Sequence, residues 1–261
     1  MRVAIVQTSP IVGEKELNLR DLDNLIGGDD GSDIYVIPEM FNTALVIEAD
    51  TIAETMDGET LKWMKQKAAL LDAAIVGSLA ISENGKTYNR LCFVKPDGSV
   101  EYYDKRHLFT YGGEGAYITP GRERRVVEFR GLRVMLQVCY DVRFPVFVRN
   151  RDDYDMIIYV ASWPVARKIA WNTLIRARAI ENQCFILGVN RSGEGGGLSY
   201  IGDSMAVSPT GEVLAHVEGG NGLTIVDIDL AEVEAYRSTF PVKADRQPEL
   251  YHALWEQHHV K

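Results

Sequence analysis

Residues 133–145 read Arg-Val-Met-Leu-Gln-Val-Cys-Tyr-Asp-Val-Arg-Phe-Pro, an apolar run that ends in a cysteine and a polar turn. The apolar and β-branched residues of 134–138 predict a buried strand, and Pro145 predicts the first turn of a helix over 144–150. Cys139 would then lie at the carboxyl end of a strand, where open α/β sheets bind ligands. A thiol on such a turn can be a nucleophile or a small buried hydrophobe, and partners elsewhere in the chain decide between the two.

The rest of the chain alternates strands with both helices and hairpins. Strands are predicted over 1–7, 34–37, 74–79, 91–94, 156–161, 185–189 and 223–228, with two more around 209–211. Helices are predicted over 14–26, 59–71 and 169–182, with a short one from 231. The glycines of 193–197 predict a flexible or tightly turned loop. Two sheets faced by helices would accommodate this mixture, and the absence of linkers or repeats predicts one domain over 1–261.

Composition limits the classes of partner. The chain has 261 residues, and its 28 basic and 37 acidic side chains give a formal charge of −9, which disfavours nucleic acid and anionic membranes as partners. Cys92, Cys139 and Cys184 form neither a disulfide framework nor a metal-binding pattern. The glycines of 193–197 do not match a phosphate loop. We therefore expect no metal and no cofactor. The N-terminus has no signal-peptide layout, and no apolar run approaches a membrane span, so we expect a cytoplasmic protein.

Three polar side chains follow predicted strands and suggest one chemistry. Glu39, Lys105 and Cys139 are separated by 66 and 34 positions, so only the fold could bring them together. A carboxylate could take the thiol proton, and an ammonium could support the oxyanion formed when the sulfur attacks a carbonyl or nitrile carbon. A cysteine–histidine hydrolase is the alternative. The chain has five histidines, namely His107, His216, His252, His258 and His259. Only the first lies near another candidate, and we expect it to anchor its loop.

A family resemblance then becomes specific. It rests on residues 37–41 (Ile-Pro-Glu-Met-Phe), 103–109 (Tyr-Asp-Lys-Arg-His-Leu-Phe) and 138–145, in that order. These stretches resemble the nitrilase (carbon–nitrogen hydrolase) superfamily, and the predicted helix segment 174–183 is similar to the one that follows the nucleophile in that family. The resemblance implies a four-layer αββα sandwich with two mixed β-sheets, and a homodimer or larger homo-oligomer.

Roles for individual residues follow from this resemblance. Glu39 is similar to the general base of the family, Lys105 to its oxyanion-supporting lysine and Cys139 to its nucleophile. The loop over 106–120 contains one acid, Glu114, which we place at the second active-site glutamate of many members, although it could also be a solvated loop acid. The backbone N–H of Tyr140 would complete the oxyanion site. Whether this loop closes over a ligand stays open.

Two further stretches of sequence suggest the class of substrate. Residues 140–145 and the segment from Ser162 to Trp171 resemble the ω-amidase branch, whose members release ammonia from short dicarboxylate monoamides such as 2-oxoglutaramate and succinamate. Such a substrate needs a partner for its carboxylate, preferably an arginine. Arg167 is our first choice over Arg143 and Arg191, because Arg143 could instead pair with Asp141 or cap a helix. Trp163 could line the pocket or be ordinary core.

Two kinds of alternative remain at this point. One is another branch of the superfamily, an aliphatic nitrilase or a carbamoyl-amide hydrolase, which would use the same residues. The other is a catalytically idle member that serves as a binding protein. Ammonia release from succinamate, without reaction on nitriles or carbamoyl amino acids, would separate these possibilities.

Overall fold

The computed structural model describes residues 1–28, 31–45 and 48–257. The strands are β1 (Arg2–Gln7), β2 (Ile34–Val36), β3 (Ala74–Glu83), β4 (Lys86–Val94), β5 (Val100–Asp104), β6 (Val126–Phe129), β7 (Leu132–Val138), β8 (Met156–Ala161), β9 (Phe185–Asn190), β10 (Ser192–Gly195), β11 (Leu198–Val207), β12 (Val213–Glu218) and β13 (Gly222–Asp227). The helices are α1 (Lys15–Ile26), α2 (Glu59–Leu71), α3 (Pro145–Val148), α4 (Lys168–Asn182), α5 (Leu230–Thr239) and α6 (Pro248–Gln257).

These strands form two mixed sheets. The first has the order β13-β1-β2-β3-β4-β5, and the second has the order β10-β11-β9-β8-β7-β6 with β12 paired to β11. In each sheet three central strands are parallel, β1 to β3 in the first and β7 to β9 in the second. Antiparallel strands flank them on both sides. The carboxyl ends of the parallel strands therefore form the edge at which a site is expected.

Alternation along β1 shows how the layers stack. Val3 and Ile5 pack in the core cluster that also contains residues of the second sheet, whereas Ala4 and Val6 pack in the cluster beneath α1 and α2. Since neighbouring strand residues point to opposite faces, the first sheet is buried on both sides. On the second sheet, α4 packs through Trp171. The predicted αββα sandwich with two mixed sheets is confirmed.

Two local predictions were wrong in part. The helix predicted over 144–150 is only the four-residue α3, because Arg149 adopts an extended ψ of 122° and ends it. The loop predicted over 193–197 is tightly turned only at Gly196 and Gly197, whose φ angles of 57° and 73° suit a two-residue hairpin turn. The preceding residues pair with β11 as strand β10.

The C-terminal segment is helical. Helix α5 begins one residue before the short helix predicted from 231, and α6 follows it. His258 and His259 lie outside the described residues. Within the part of the chain that is described, no helix combines the length and apolar character needed to cross a membrane.

Candidate active site

Cys139 follows β7 directly and begins a short 3₁₀ turn over Cys139–Arg143. Its backbone φ is +48°, a left-handed value that residues other than glycine rarely adopt unless the surrounding structure holds them there. The residue is 9% exposed. The strand end thus presents a nearly buried thiol on a sharply turned backbone.

Asp141 holds this turn in place. Its fully buried carboxylate accepts hydrogen bonds from the backbone N–H of Val138 (3.0 Å), the hydroxyl of Tyr103 (2.9 Å) and the backbone N–H of His107 (3.0 Å). The Nδ1 atom of His107 lies 2.7 Å from the same carboxylate, and its ring stacks on Phe144 with centroids 3.8 Å apart. His107 therefore anchors its loop, as predicted. Asp141 connects the cysteine turn to the segment that carries Lys105.

Arg143 does not make the pairing suggested for it. Its guanidinium carbon lies 5.0 Å from the ring centroid of Trp163, whereas the carboxylate of Asp141 points inward to the four donors above. The reason is the tight 3₁₀ turn, which buries Asp141 and leaves Arg143 exposed. The suggested pairing of Arg143 with Asp141 was therefore wrong.

Lys105 joins the two predicted acids. Its Nζ atom donates to Oε1 of Glu39 at 3.0 Å and to both carboxylate oxygens of Glu114 at 2.9 Å. The lysine is 2% and Glu39 is 1% exposed, and the side chain of Glu114 is 11% exposed. The backbone N–H of Phe109 donates to Glu114 at 2.6 Å. Glu114 is therefore held at the site and is not a solvated loop acid.

Two further groups orient Glu39, and the sequence analysis missed both. The side-chain amide of Asn89 donates to Oε1 at 2.7 Å, and the backbone N–H of Ser162 donates to Oε2 at 2.8 Å. Asn89 lies on β4, and Ser162 follows β8 at the same sheet edge as Cys139. Asn89 is fully buried inside its strand, where a polar side chain needs a partner, but only the structure shows that burial.

The charges of these groups act on one another. Burial raises the pKa of the Cys139 thiol well above its ordinary value; the negative charge of Glu39 adds to this, and Lys105 and the N–H of Ser162 oppose it. Burial alone would lower the pKa of Lys105, but the charges of Glu114 and Glu39 outweigh it and raise that pKa well above the ordinary range. The resting site thus holds a protonated thiol beside a charged ammonium.

The candidate substrate-binding residues Arg167 and Trp163 contact each other next to the loop that carries Glu114. The guanidinium carbon of Arg167 lies 5.0 Å from the ring centroid of Phe109. Trp163 is 4% exposed, and its indole N–H donates to the carbonyl of Arg167 at 2.8 Å. Burial raises the pKa of Tyr200, and charges of Arg191, Glu39, Cys139 and Arg167 also act on it. Tyr200, which the sequence analysis did not single out, therefore lies within electrostatic reach of both Cys139 and Arg167.

Arg191 is not available for a ligand. It is 1% exposed, and it donates to the backbone carbonyls of Pro10, Ser192 and Glu194. Its guanidinium also lies 4.5 Å from the ring centroid of Tyr200. Burial lowers its pKa. The third candidate for the substrate carboxylate is therefore a structural arginine.

The acidic and thiol side chains of this site could in principle be metal ligands. In the described ranges, no group of three or more His, Cys, Asp or Glu side chains is arranged to hold a metal ion. The grouped thiol, carboxylates and ammonium can support acyl transfer, in which a nucleophile, a base and an oxyanion donor are needed together.

The sequence pattern of a known family covers this whole arrangement. The pattern described as carbon-nitrogen hydrolase matches residues 2–238. The chain belongs to the carbon–nitrogen hydrolase family. The three motifs identified by resemblance all lie inside the matched range, so the predicted membership is confirmed.

Individual relatives of this carbon–nitrogen hydrolase agree with the match. It is 38% identical to Omega-amidase YafV of Escherichia coli (strain K12) over 247 residues, covering 94% of this chain and 96% of the relative. It is 33% identical to a 2-oxoglutaramate amidase of Bacillus subtilis (strain 168), covering 84% and 87%. The crystal structure of XC1258 from Xanthomonas campestris, described as a CN-hydrolase superfamily protein with an arsenic adduct in the active site, is similar with a TM-score of 0.92 and 41% identity over 95% of this chain and 97% of that one.

Proposed function

We propose that this carbon–nitrogen hydrolase is an ω-amidase, a cysteine amidohydrolase that releases ammonia from the terminal amide of small dicarboxylate monoamides such as 2-oxoglutaramate and succinamate. The observation that carries the proposal is the convergence of Glu39, Lys105 and Glu114 at the buried thiol of Cys139. The names of the relatives at 33% and 38% identity support the substrate class.

The first half of the proposed reaction acylates the enzyme. Glu39 takes the thiol proton while the sulfur of Cys139 bonds to the amide carbon, so the carbonyl becomes an oxyanion. Lys105 and the backbone N–H of Tyr140 donate hydrogen bonds to that oxyanion. The proton held by Glu39 passes to the amide nitrogen, the carbon–nitrogen bond breaks, and ammonia leaves behind a thioester.

The second half returns the enzyme to its starting state. Glu39 takes a proton from a water molecule, whose oxygen bonds to the thioester carbon. The carbon–sulfur bond then breaks, the sulfur of Cys139 recovers the proton, and the free carboxylic acid leaves. The ion pair with Lys105 and the hydrogen bonds from Asn89 and Ser162 support this role, because they fix both carboxylate oxygens of Glu39.

Glu114 would act through the lysine. Its two carboxylate oxygens lie 2.9 Å from Nζ of Lys105. One of them also accepts a hydrogen bond from the backbone N–H of Phe109, which holds the side chain within its own loop. We propose that it keeps the ammonium charged and aimed at the oxyanion, and that it positions the substrate nitrogen.

The substrate carboxylate would lie at the opposite end of the pocket. We propose Arg167 as its partner, with Trp163 as a wall and Arg143 as a second candidate. The guanidinium of Arg167 lies over the ring of Phe109, whose backbone N–H donates to Glu114, and this supports a place for Arg167 close to the catalytic groups.

We also propose that residues 1–261 form a single hydrolase domain that works in the cytoplasm as a homodimer or larger homo-oligomer. All three cysteines are free and buried, a state that a reducing compartment maintains. Sedimentation of the purified protein would give the size of the assembly, and a monomer at micromolar concentration would contradict this part of the proposal.

An ammonia assay tests the function. The proposal predicts release from 2-oxoglutaramate and succinamate and none from aliphatic nitriles or carbamoyl amino acids, with all activity lost in Cys139→Ala. Reaction on nitriles or carbamoyl compounds in place of the monoamides would favour another branch of the family. No release from any short amide would favour a catalytically idle binding protein.

A further inference from the structure

A concave surface lies away from the thiol. A groove with a volume of about 550 Å³ opens on the far side of β4 and β5. We call it the rear groove. Five basic side chains line it, namely Lys86, Arg90, Arg106, Arg122 and Arg125. Its size falls in the range of small-molecule sites.

Alternation along the strands places this groove directly behind the candidate active site. On β4, Asn89 faces Glu39, whereas its neighbour Arg90 lines the groove. At the end of β5, Lys105 faces Glu39 and Glu114, whereas Arg106 lines the groove. Adjacent residues of an extended chain point to opposite faces, so one layer of backbone separates the two sites.

The charges of the groove do not cancel. Three acids, Glu83, Asp104 and Glu123, line it together with the five basic residues, which leaves an excess of two positive charges in a chain whose formal charge is −9. Glu83 and Asp104 are both bound by the buried Arg90. Glu123 lies 3.7 Å from Arg125.

Three basic groups are therefore left for a ligand. In the described ranges, the side chains of Lys86 and Arg122 make neither a hydrogen bond nor an ion pair, and the guanidinium of Arg106 donates only to the carbonyl of Gly121. Since arginine forks fit carboxylate and phosphate oxygens, we propose that the rear groove binds a small anion with two negative charges, a phosphate group or a short dicarboxylate. Such an anion would neutralise the excess charge.

Titration calorimetry with a matched pair of variants tests this proposal. The probes are inorganic phosphate and succinate, with acetate at equal ionic strength as the single-charge control. The groove variant is Lys86→Ser with Arg122→Ser. The control is Arg20→Ser with Lys62→Ser, which removes the same charge from exposed positions on α1 and α2. Circular dichroism of both variants confirms that they fold.

The expected result is that at least one dianion binds the natural protein and the control variant, and that the groove variant binds it about tenfold or more weakly. Phosphate alone or succinate alone would identify the source of the anion. Equal affinity in both variants, or no binding at millimolar concentration, would overturn the proposal. So would succinate binding that Arg167→Gln abolishes and the groove variant leaves unchanged, because that binding belongs to the active site.

Discussion

The Nζ atom of Lys105 lies 2.9 Å from both carboxylate oxygens of Glu114. The lysine is therefore clamped by an acid on a loop as well as by Glu39, which follows β2 at the same sheet edge. We predict that Glu114→Gln lowers kcat about 10²–10³-fold, as loss of an oxyanion donor does, because an amide cannot hold the ammonium with the same charge. Steady-state ammonia release measures this effect. Glu128→Gln, a change at an exposed residue of β6, is the control, and equal kcat in both variants would refute the assignment.

Glu39 affects the thiol in a second, separable way. Its negative charge raises the pKa of Cys139, so Glu39→Gln lowers that pKa and moves thiolate formation to lower pH. Alkylation by iodoacetamide, measured against pH, should therefore begin at lower pH in the variant than in the natural protein.

The same variant should lose amide hydrolysis by about 10²–10⁴-fold, the usual contribution of a general base. A more reactive thiol together with a less active enzyme distinguishes the base from a residue that only shapes the site. An alkylation profile that stays in place or moves to higher pH would contradict the assigned electrostatics.

Asp141 is predicted to be a positioning residue. Asp141→Asn keeps the shape of the side chain but removes one acceptor oxygen, so at least one of the buried donors from Val138, Tyr103 and His107 loses its partner. Each such loss costs about 1–3 kcal/mol of unfolding free energy, which urea denaturation measures. We expect kcat to fall more than KM rises. Asp227→Asn, at an exposed position, should change neither quantity, and a stable, fully active D141N protein would disprove the clamp.

Arg167 is predicted to recognise the charged end of the substrate. Arg167→Gln should raise KM for succinamate about tenfold to a hundredfold, the range expected for a hydrogen bond to a charged group. The KM for butyramide, which has the same amide but no carboxylate, should stay unchanged. Arg143→Gln in the same two assays shows whether the second arginine contributes. Equal changes on both substrates would mean that Arg167 shapes the pocket and binds no carboxylate.

The sequence was sufficient to predict the candidate site residues that directly follow strands. Glu39 and Cys139 each lie just after a short apolar run, and Lys105 directly follows β5. Such runs are readable because burial selects their composition. β5 is antiparallel to β4, which is antiparallel to β3, so β5 ends at the same sheet edge as the parallel strand β2. The predicted convergence of Glu39 and Lys105 follows from this topology, and their side chains lie 3.0 Å apart.

The residues that support the site were less readable. Asn89 and Tyr200 lie inside strands beside other polar residues, and nothing local shows which of these side chains face the site. Ser162 acts through its backbone N–H, which carries no sequence signal. Arg191 is the opposite case, a residue that the sequence suggested for the site and that the structure uses elsewhere. It follows a strand, as a ligand-binding arginine could, but its guanidinium donates to backbone carbonyls.

The central claim is that the sulfur of Cys139 carries the acyl group of the substrate during turnover. Intact-protein mass spectrometry of a sample mixed with succinamate and quenched in acid within milliseconds tests it most directly. The account predicts a succinyl adduct that maps to Cys139, forms together with ammonia and is absent in Cys139→Ala. Ammonia release at full rate with no adduct at any quench time, or an adduct on another residue, would contradict it.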